Sequence, residues 1–329
     1  DLRSHTVWGS HLRDIDLMKE MGVRVIRTYY PITSKAFLDK LAENGIKAIV
    51  GFPYFDNTRN RGPDMLGGGY IDYIKKHKDH PAILMWSFGN DYNDLEREFD
   101  NDVDNWYAAL KEAARRTKEI DPSRKVTTAH GGMPSGEVVK RFVKDGVSLI
   151  DVWGVNFYEN DHIEKAFEEW KGILADKDIP ESLQWYISET GTDSFDGRAG
   201  RESQPMQASV VERTWKKIVA HADGKNFLGA TFMTFSDEWW KAGRPDRHET
   251  SGRAFSIPED MEVNEEWWGV VDINRNPKEA FYALRKLWTG KEAPEPAKRQ
   301  TEPSKVSESG AVPSAKQDLA GGWSARQRR

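Results

Sequence analysis

From about residue 12 to about residue 290 the chain alternates short apolar runs with longer amphipathic stretches. The runs lie at 23–29, 46–52, 82–88, 125–130, 149–157, 184–188 and 228–235, and they are rich in β-branched and aromatic residues. They are nearly continuous in apolar character, as strands buried on both faces must be. The stretches between them carry helix signals. Residues 12–21 end at Gly22, 34–43 open on Ser34 as an N-cap, and 106–120 stop before Asp121-Pro122. Residues 207–221 and 277–288 follow the same scheme. Strand–helix repetition about every 35 residues predicts parallel strands joined by crossover helices.

Seven runs are one short of a (β/α)8 TIM barrel, an α/β fold. The absent or irregular strand is expected to be the first, because the helix at 12–21 leaves only about 11 residues before it. A doubly wound sheet competes, but no Gly-rich dinucleotide turn follows any early run. The barrel is assigned to residues 1–290. Residues 291–329 hold four prolines, scattered charges and one aromatic, Trp323, and read as a disordered tail.

Composition narrows the chemistry. At 329 residues the chain is two ordinary domains or one large barrel, and with a mean hydropathy of −0.74 no stretch is apolar enough to suggest a membrane span. A net charge of −5 gives no electrostatic case for nucleic acid or anionic lipid. The chain has no cysteine, which excludes thiol catalysis, disulfides and thiolate metal sites. Its 13 tryptophans stand out, and flat aromatic faces commonly hold sugar rings. The polar start Asp1-Leu2-Arg3-Ser4-His5 has no apolar signal core. It suggests a removed leader or a start within a longer product and leaves the compartment open, a secreted or periplasmic one being slightly favoured.

In a barrel the active site forms at the C-terminal strand ends. Those ends carry Arg27, Tyr29 and Tyr30; Phe52 and Tyr54; Asn90 and Asp91; His130; Asn156 and Tyr158; Glu189; and Asp237, Glu238, Trp239 and Trp240. Two carboxyls, Asp91 and Glu189, ringed by aromatics and amides, suit glycoside hydrolysis, in which one acid protonates the leaving oxygen while the other attacks or activates water. No metal or cofactor is expected. His77 and His80 suit a solvated helix end. The segment 100–104 imitates a calcium loop but lacks Gly at its sixth position and Glu at its twelfth.

These motifs resemble a known family. Trp86-Ser87-Phe88-Gly89-Asn90-Asp91 is similar to the WSxGNE strand ending of the clan A glycoside hydrolases, and Ile187-Ser188-Glu189-Thr190-Gly191 to that clan's nucleophile strand. The likeness extends through 14–29, 151–158, 268–272 and 276–278. It resembles both the family-2 β-glycosidases and the β-1,3-glucanosyltransferases. The resemblance implies a β-glycosidase or transglycosylase acting on a β-linked glucan or oligosaccharide, without metal or cofactor. It implies Glu189 as nucleophile, Asn90 on the sugar 2-hydroxyl, Tyr158 and Arg27 holding Glu189, and Trp239 or Trp240 as the sugar's floor. Tyr29, Tyr54, His130, Asn156 and Glu238 are expected to line the substrate.

One position departs from the family pattern: Asp91 stands where the family has Glu as acid/base. The shorter side chain leaves open a retaining pair, a wider inverting pair, or another acid among Glu238, Asp94 and Glu96. It also leaves open a barrel that binds carbohydrate without turning it over. Bland roles compete at several sites. Asn90 and Asp91 suit a helix cap, Arg27 a structural ion pair, and His130 a hydrogen-bonded wall. One of Trp239 and Trp240 is expected to pack under its loop. Trp267 and Trp268 read as core for the last helix. The loops 57–69 and 241–266 are expected to shape the ends of the cleft.

Overall fold

The computed structural model describes residues 8–56, 62–158, 160–241, 244–250 and 264–292. The tail from 293 onwards, and parts of the loops 57–69 and 241–266, lie outside the described residues. So do residues 1–7 of the segment expected to supply the first strand.

The elements run in the predicted order. Helix α1 (Trp8–Met21) leads to β1 (Val25–Arg27), α2 (Lys35–Glu43), β2 (Lys47–Phe52), α3 (Gly69–His77), β3 (Ile83–Phe88), α4 (Val103–Ile120) and β4 (Lys125–Gly131). A short helix α5 (Gly136–Lys140) and a hairpin of β5 (Val143–Lys144) and β6 (Val147–Ser148) precede β7 (Val152–Asn156), α6 (Ile163–Leu174) and β8 (Gln184–Thr190). A second hairpin, β9 (Phe195–Asp196) and β10 (Arg201–Glu202), leads to α7 (Gln204–His221), β11 (Phe227–Phe232) and α8 (Glu279–Thr289). Ser34 caps α2 as the sequence predicts, accepting from the Phe37 amide at 3.2 Å. Asp102 caps α4, so segment 100–104 is a helix start.

Seven parallel strands form one sheet in the order β1-β2-β3-β4-β7-β8-β11. Both faces are buried, which is why the runs are continuously apolar. Ile49, Met85, Val152 and Tyr186 meet inside the barrel, while Val50, Trp86, Trp153 and Trp185 pack outward under the helices. The sheet does not close, because β1 and β11 are its two ends. A cavity of about 1420 Å³ runs along that seam and the lumen, lined by Val25, Ile26, Leu228, Ala230 and Phe232 among others.

Two expectations are corrected here. Helix α1 begins at Trp8, so residues 8–11 are helical and supply no strand. The run expected to be a strand to residue 235 leaves the sheet after Phe232. Its backbone turns instead to residues 268–271: Thr234 donates to Trp268 O (3.2 Å) and Val271 to Phe235 O (3.0 Å). The β11 ladder is already irregular, with register shifts on either side of Ala230.

Candidate active site

Each polar group of the site stands at or just past the C-terminal end of a strand, as barrel geometry requires. Arg27 ends β1 and shares the lumen-facing parity of Val25. Asn156 ends β7, on the same face as Val152. Glu189 is different. Strict alternation from Tyr186 would turn it outward, but the β7–β8 register shifts between Val155↔Ile187 and Asn156↔Glu189. This irregularity re-aims the carboxyl into the site, as bulges beside active sites do.

Glu189 is 5% exposed, and both its oxygens are engaged. Oε1 accepts from Arg27 Nη1 at 2.8 Å and from the Tyr29 hydroxyl at 2.7 Å, and Oε2 accepts from the Tyr158 hydroxyl at 2.6 Å. Burial alone would lower the Arg27 pKa, but the Glu189 carboxylate beside it holds it above its ordinary value. Burial first, and then that same carboxylate, push the Tyr29 and Tyr158 hydroxyls well above the usual range, so both remain donors. A buried carboxyl with an arginine and two phenols around it is held in one orientation.

The network continues to the second carboxyl. Arg27 Nη2 donates to Asn90 Oδ1 at 2.5 Å, and Asn90 Nδ2 donates to Asp91 Oδ2 at 2.8 Å. Asn156 Nδ2 donates to Asp91 Oδ1 at 2.7 Å, and the Ser188 hydroxyl fixes that amide by donating to Asn156 Oδ1 at 2.7 Å. Asp91 has no cation of its own. Burial and then the Glu189 charge push its carboxyl up to about 7, against the hydrogen bond from Asn156 and the more distant Arg27. The site therefore pairs a carboxyl bonded to an arginine with an acid whose proton is held up to about pH 7. That is a working division of labour for cleaving an acetal.

The remaining sequence candidates divide. Arg27, Tyr29, Glu189, Glu238 and Trp240 line the cavity. Trp240 is 47% exposed, whereas Trp239 stacks on His248, so one of the pair faces the cleft and the other packs beneath its loop. Glu238 is buried and ion-paired to Lys241 at 3.1 Å, and Glu265 shares that lysine at 2.9 Å. Two expected substrate contacts have protein partners in this structure. His130 is a wall residue: it shares the outward parity of Val126, and its ring nitrogens meet the Tyr107 hydroxyl (3.1 Å) and Gly132 O (2.9 Å). Tyr54 packs in an aromatic cluster with Tyr92 and Phe99.

Sequence reasoning placed Trp268 in the core of the last helix. It stands instead edge-on to Tyr158, with ring centroids 5.4 Å apart, and packs with Met233. Met233, which sequence reasoning missed, puts its sulfur 3.2 Å from the Tyr158 hydroxyl and 3.5 Å from that of Tyr29. Its place just past β11, on the site's face of the barrel, was the available signal. Among the described residues no group of three or more His, Asp or Glu could hold a metal ion, and no helix is long and apolar enough to cross a membrane.

Comparisons with known proteins agree with this architecture. A β-glucuronidase of Paenibacillus borealis is 25% identical over 305 residues, covering 84% of this chain and 45% of that protein. One from Bacteroides fragilis is 29% identical over 133 residues, 36% of this chain and 17% of that protein. The chain thus spans less than half the length of these relatives. Among solved structures, Bacteroides uniformis β-glucuronidase 2, covalently bound to cyclophellitol-6-carboxylate aziridine, superposes with a TM-score of 0.60 at 22% identity, over 85% of this chain and 32% of that one. A β-galacturonidase from Eisenbergiella tayi bound to galacturonate gives 0.59 at 20% identity, over 86% and 48%. Residues 70–208 match the family described as glycosyl hydrolases family 2, TIM barrel domain. Of the two resemblances read from the motifs, the matches support family 2 and not the glucanosyltransferases. The seven-stranded parallel sheet, with its polar network at the C-terminal strand ends, thus has a TIM-barrel fold, and its residues 70–208 are similar to the family 2 barrel domain.

Proposed function

We propose that this chain is the catalytic barrel of a retaining β-glycosidase whose substrates are β-linked uronides, β-glucuronides first among them. The observation that carries the reading is the continuous network from Glu189 through Arg27 and Asn90 to Asp91. In the first step the Glu189 carboxylate attacks the anomeric carbon. The bond to the leaving oxygen breaks, and Asp91 gives that oxygen its proton. In the second step water attacks the same carbon and returns a proton to Asp91, and the bond to Glu189 breaks. One N–H of the Asn90 amide is given to Asp91, leaving the other for the sugar 2-hydroxyl. The exposed Trp240 ring is placed to underlie the sugar.

The uronide assignment draws on what the relatives are named for. The glucan and transglycosylase expectations have no counterpart among those names, and uronides take their place. A panel of an aryl β-glucuronide, β-galacturonide, β-glucoside and a β-1,3-glucan oligosaccharide, followed by proton NMR, tests the reading. The expected result is turnover of a uronide with the β-anomer formed first. A first-formed α-anomer overturns retention, and turnover of neutral glucans alone overturns the substrate class. Sugar binding without turnover would favour the rival reading, a barrel that holds carbohydrate passively. That rival is motivated by the Asp at position 91.

A further inference from the structure

The turn that carries Asp91 follows directly on the end of β3. Asp91 has φ 54°, a left-handed conformation that Asp and Asn adopt more readily than other residues with a Cβ. Its amide donates to Ala129 O at 3.0 Å, and its carbonyl accepts from the Asp94 amide at 2.9 Å. The decisive contact comes from Asn93. Its Oδ1 accepts from the Gly131 amide at 2.8 Å, and its Nδ2 donates to Gly131 O at 3.0 Å. One side-chain amide thereby satisfies both main-chain groups of the last residue of β4, as an added strand would. Gly131 is also the register partner of Asn156, whose side chain touches Asp91. A single strand residue therefore references both the turn that bears the acid and the amide that meets it. A Cβ at 131 would meet the exposed Asp94 carboxylate, which would have to swing away, and would lie 3.1 Å from Asp91 Oδ1.

We propose that Asn93 is a positioning residue for Asp91: by clamping residues 91–94 onto Gly131 it holds the main chain where the shorter carboxyl reaches the glycosidic oxygen. The site is in this sense built for aspartate, and the departure from glutamate is compensated in the backbone. The inference rests on the reading of Asp91 as the acid, and the experiment separates the two.

The probes are two glycosides of the sugar identified by the panel above. One has a dinitrophenolate leaving group, which departs without a proton; the other has an alkyl leaving group, which needs one. Asn93→Ala is expected to lower kcat/KM about 10- to 100-fold on the alkyl glycoside and less than about 3-fold on the dinitrophenyl one. Its thermal melt should stay cooperative, and Asn93→Ser, which keeps one hydrogen-bonding group, replaces it if the melt is lost. Equal losses on both substrates, or none on either, overturn the proposal. Asp91→Asn should show the same selectivity with a larger loss. If it does and Asn93→Ala does not, the clamp falls and the acid stands. If Asp91→Asn shows no selectivity, both fall. Asp91→Glu is expected to be about 10-fold slower than the parent on the alkyl glycoside, and a gain overturns the claim that the backbone compensates.

Discussion

The two carboxyls of the site are held by opposite means. Glu189 sits within a strand, and its neighbours Arg27, Tyr29 and Tyr158 come from the exits of β1 and β7. Asp91 stands on a left-handed turn beyond its strand, and its neighbours are the neutral amides of Asn90 and Asn156. Burial pushes the Asp91 carboxyl up, and the nearest cation, Arg27, is bonded to Glu189 and acts on Asp91 only from farther away. The difference supports the roles proposed for them. A carboxylate with an ion pair and two phenols is a ready nucleophile, and a buried carboxyl without a cation is a ready proton donor. The fold separates them by giving one a strand register and the other a turn.

Glu189→Gln breaks this comparison most severely. It removes the attacking atom while leaving the side-chain shape and the amide able to meet Tyr29 and Tyr158. Turnover should fall by roughly 10⁴-fold or more, with sugar binding still measurable by calorimetry. Retained turnover would remove Glu189 from the mechanism.

The next effect sharpens the acid side. Asp91 must be protonated to give its proton, and its carboxyl is pushed up to about 7. The alkaline limb of kcat/KM is therefore expected to fall as pH rises through about 7. Asp91→Asn should cost roughly 10²–10⁴-fold and flatten that alkaline limb. If the limb persists unchanged in Asp91→Asn, another group titrates there. Glu238 is a poorer candidate, because Lys241 already lies 3.1 Å from it.

Much of this asymmetry was legible in the sequence, and the parts that were not have physical causes. Parallel strands buried on both faces write themselves as continuous apolar runs, so the strands and their exits could be read directly. His130 ends such a run, but the two-residue period that puts Val126 under the helices also turns His130 outward toward Tyr107 on α4. Parity held the answer there. Parity fails at Glu189, where the register shift reverses its direction, and no periodicity announces a bulge. Trp268 was misread because its partners are remote in sequence: residues 268–271 pair with 234–237, which brings the ring under Tyr158. The clamp of Asn93 on Gly131 spans 38 positions and is made to main-chain atoms, so one sequence carries no signal of it.

The smallest effects test whether the environment of Glu189 is as ordered as its hydrogen bonds imply. Its two oxygens are not equivalent. Oε1 is served by both Arg27 and Tyr29, whereas among the described contacts Oε2 is served by Tyr158. Removing the Tyr29 hydroxyl leaves the arginine in place; removing that of Tyr158 strips Oε2. A hydrogen bond to a charged group contributes about 1.5–3 kcal/mol, so Tyr158→Phe should lower kcat/KM by about 10-fold or somewhat more. Tyr29→Phe should cost only about 3-fold, because Arg27 still covers the same oxygen. The phenylalanine at 158 keeps the ring that packs against Trp268, so neither variant should melt more than a few degrees below the parent. Steady-state kinetics on one aryl glycoside ranks the two. If Tyr29→Phe proves the more damaging, Arg27 is not holding Oε1 through the reaction. The carboxylate would then be oriented by its phenols and not by its ion pair.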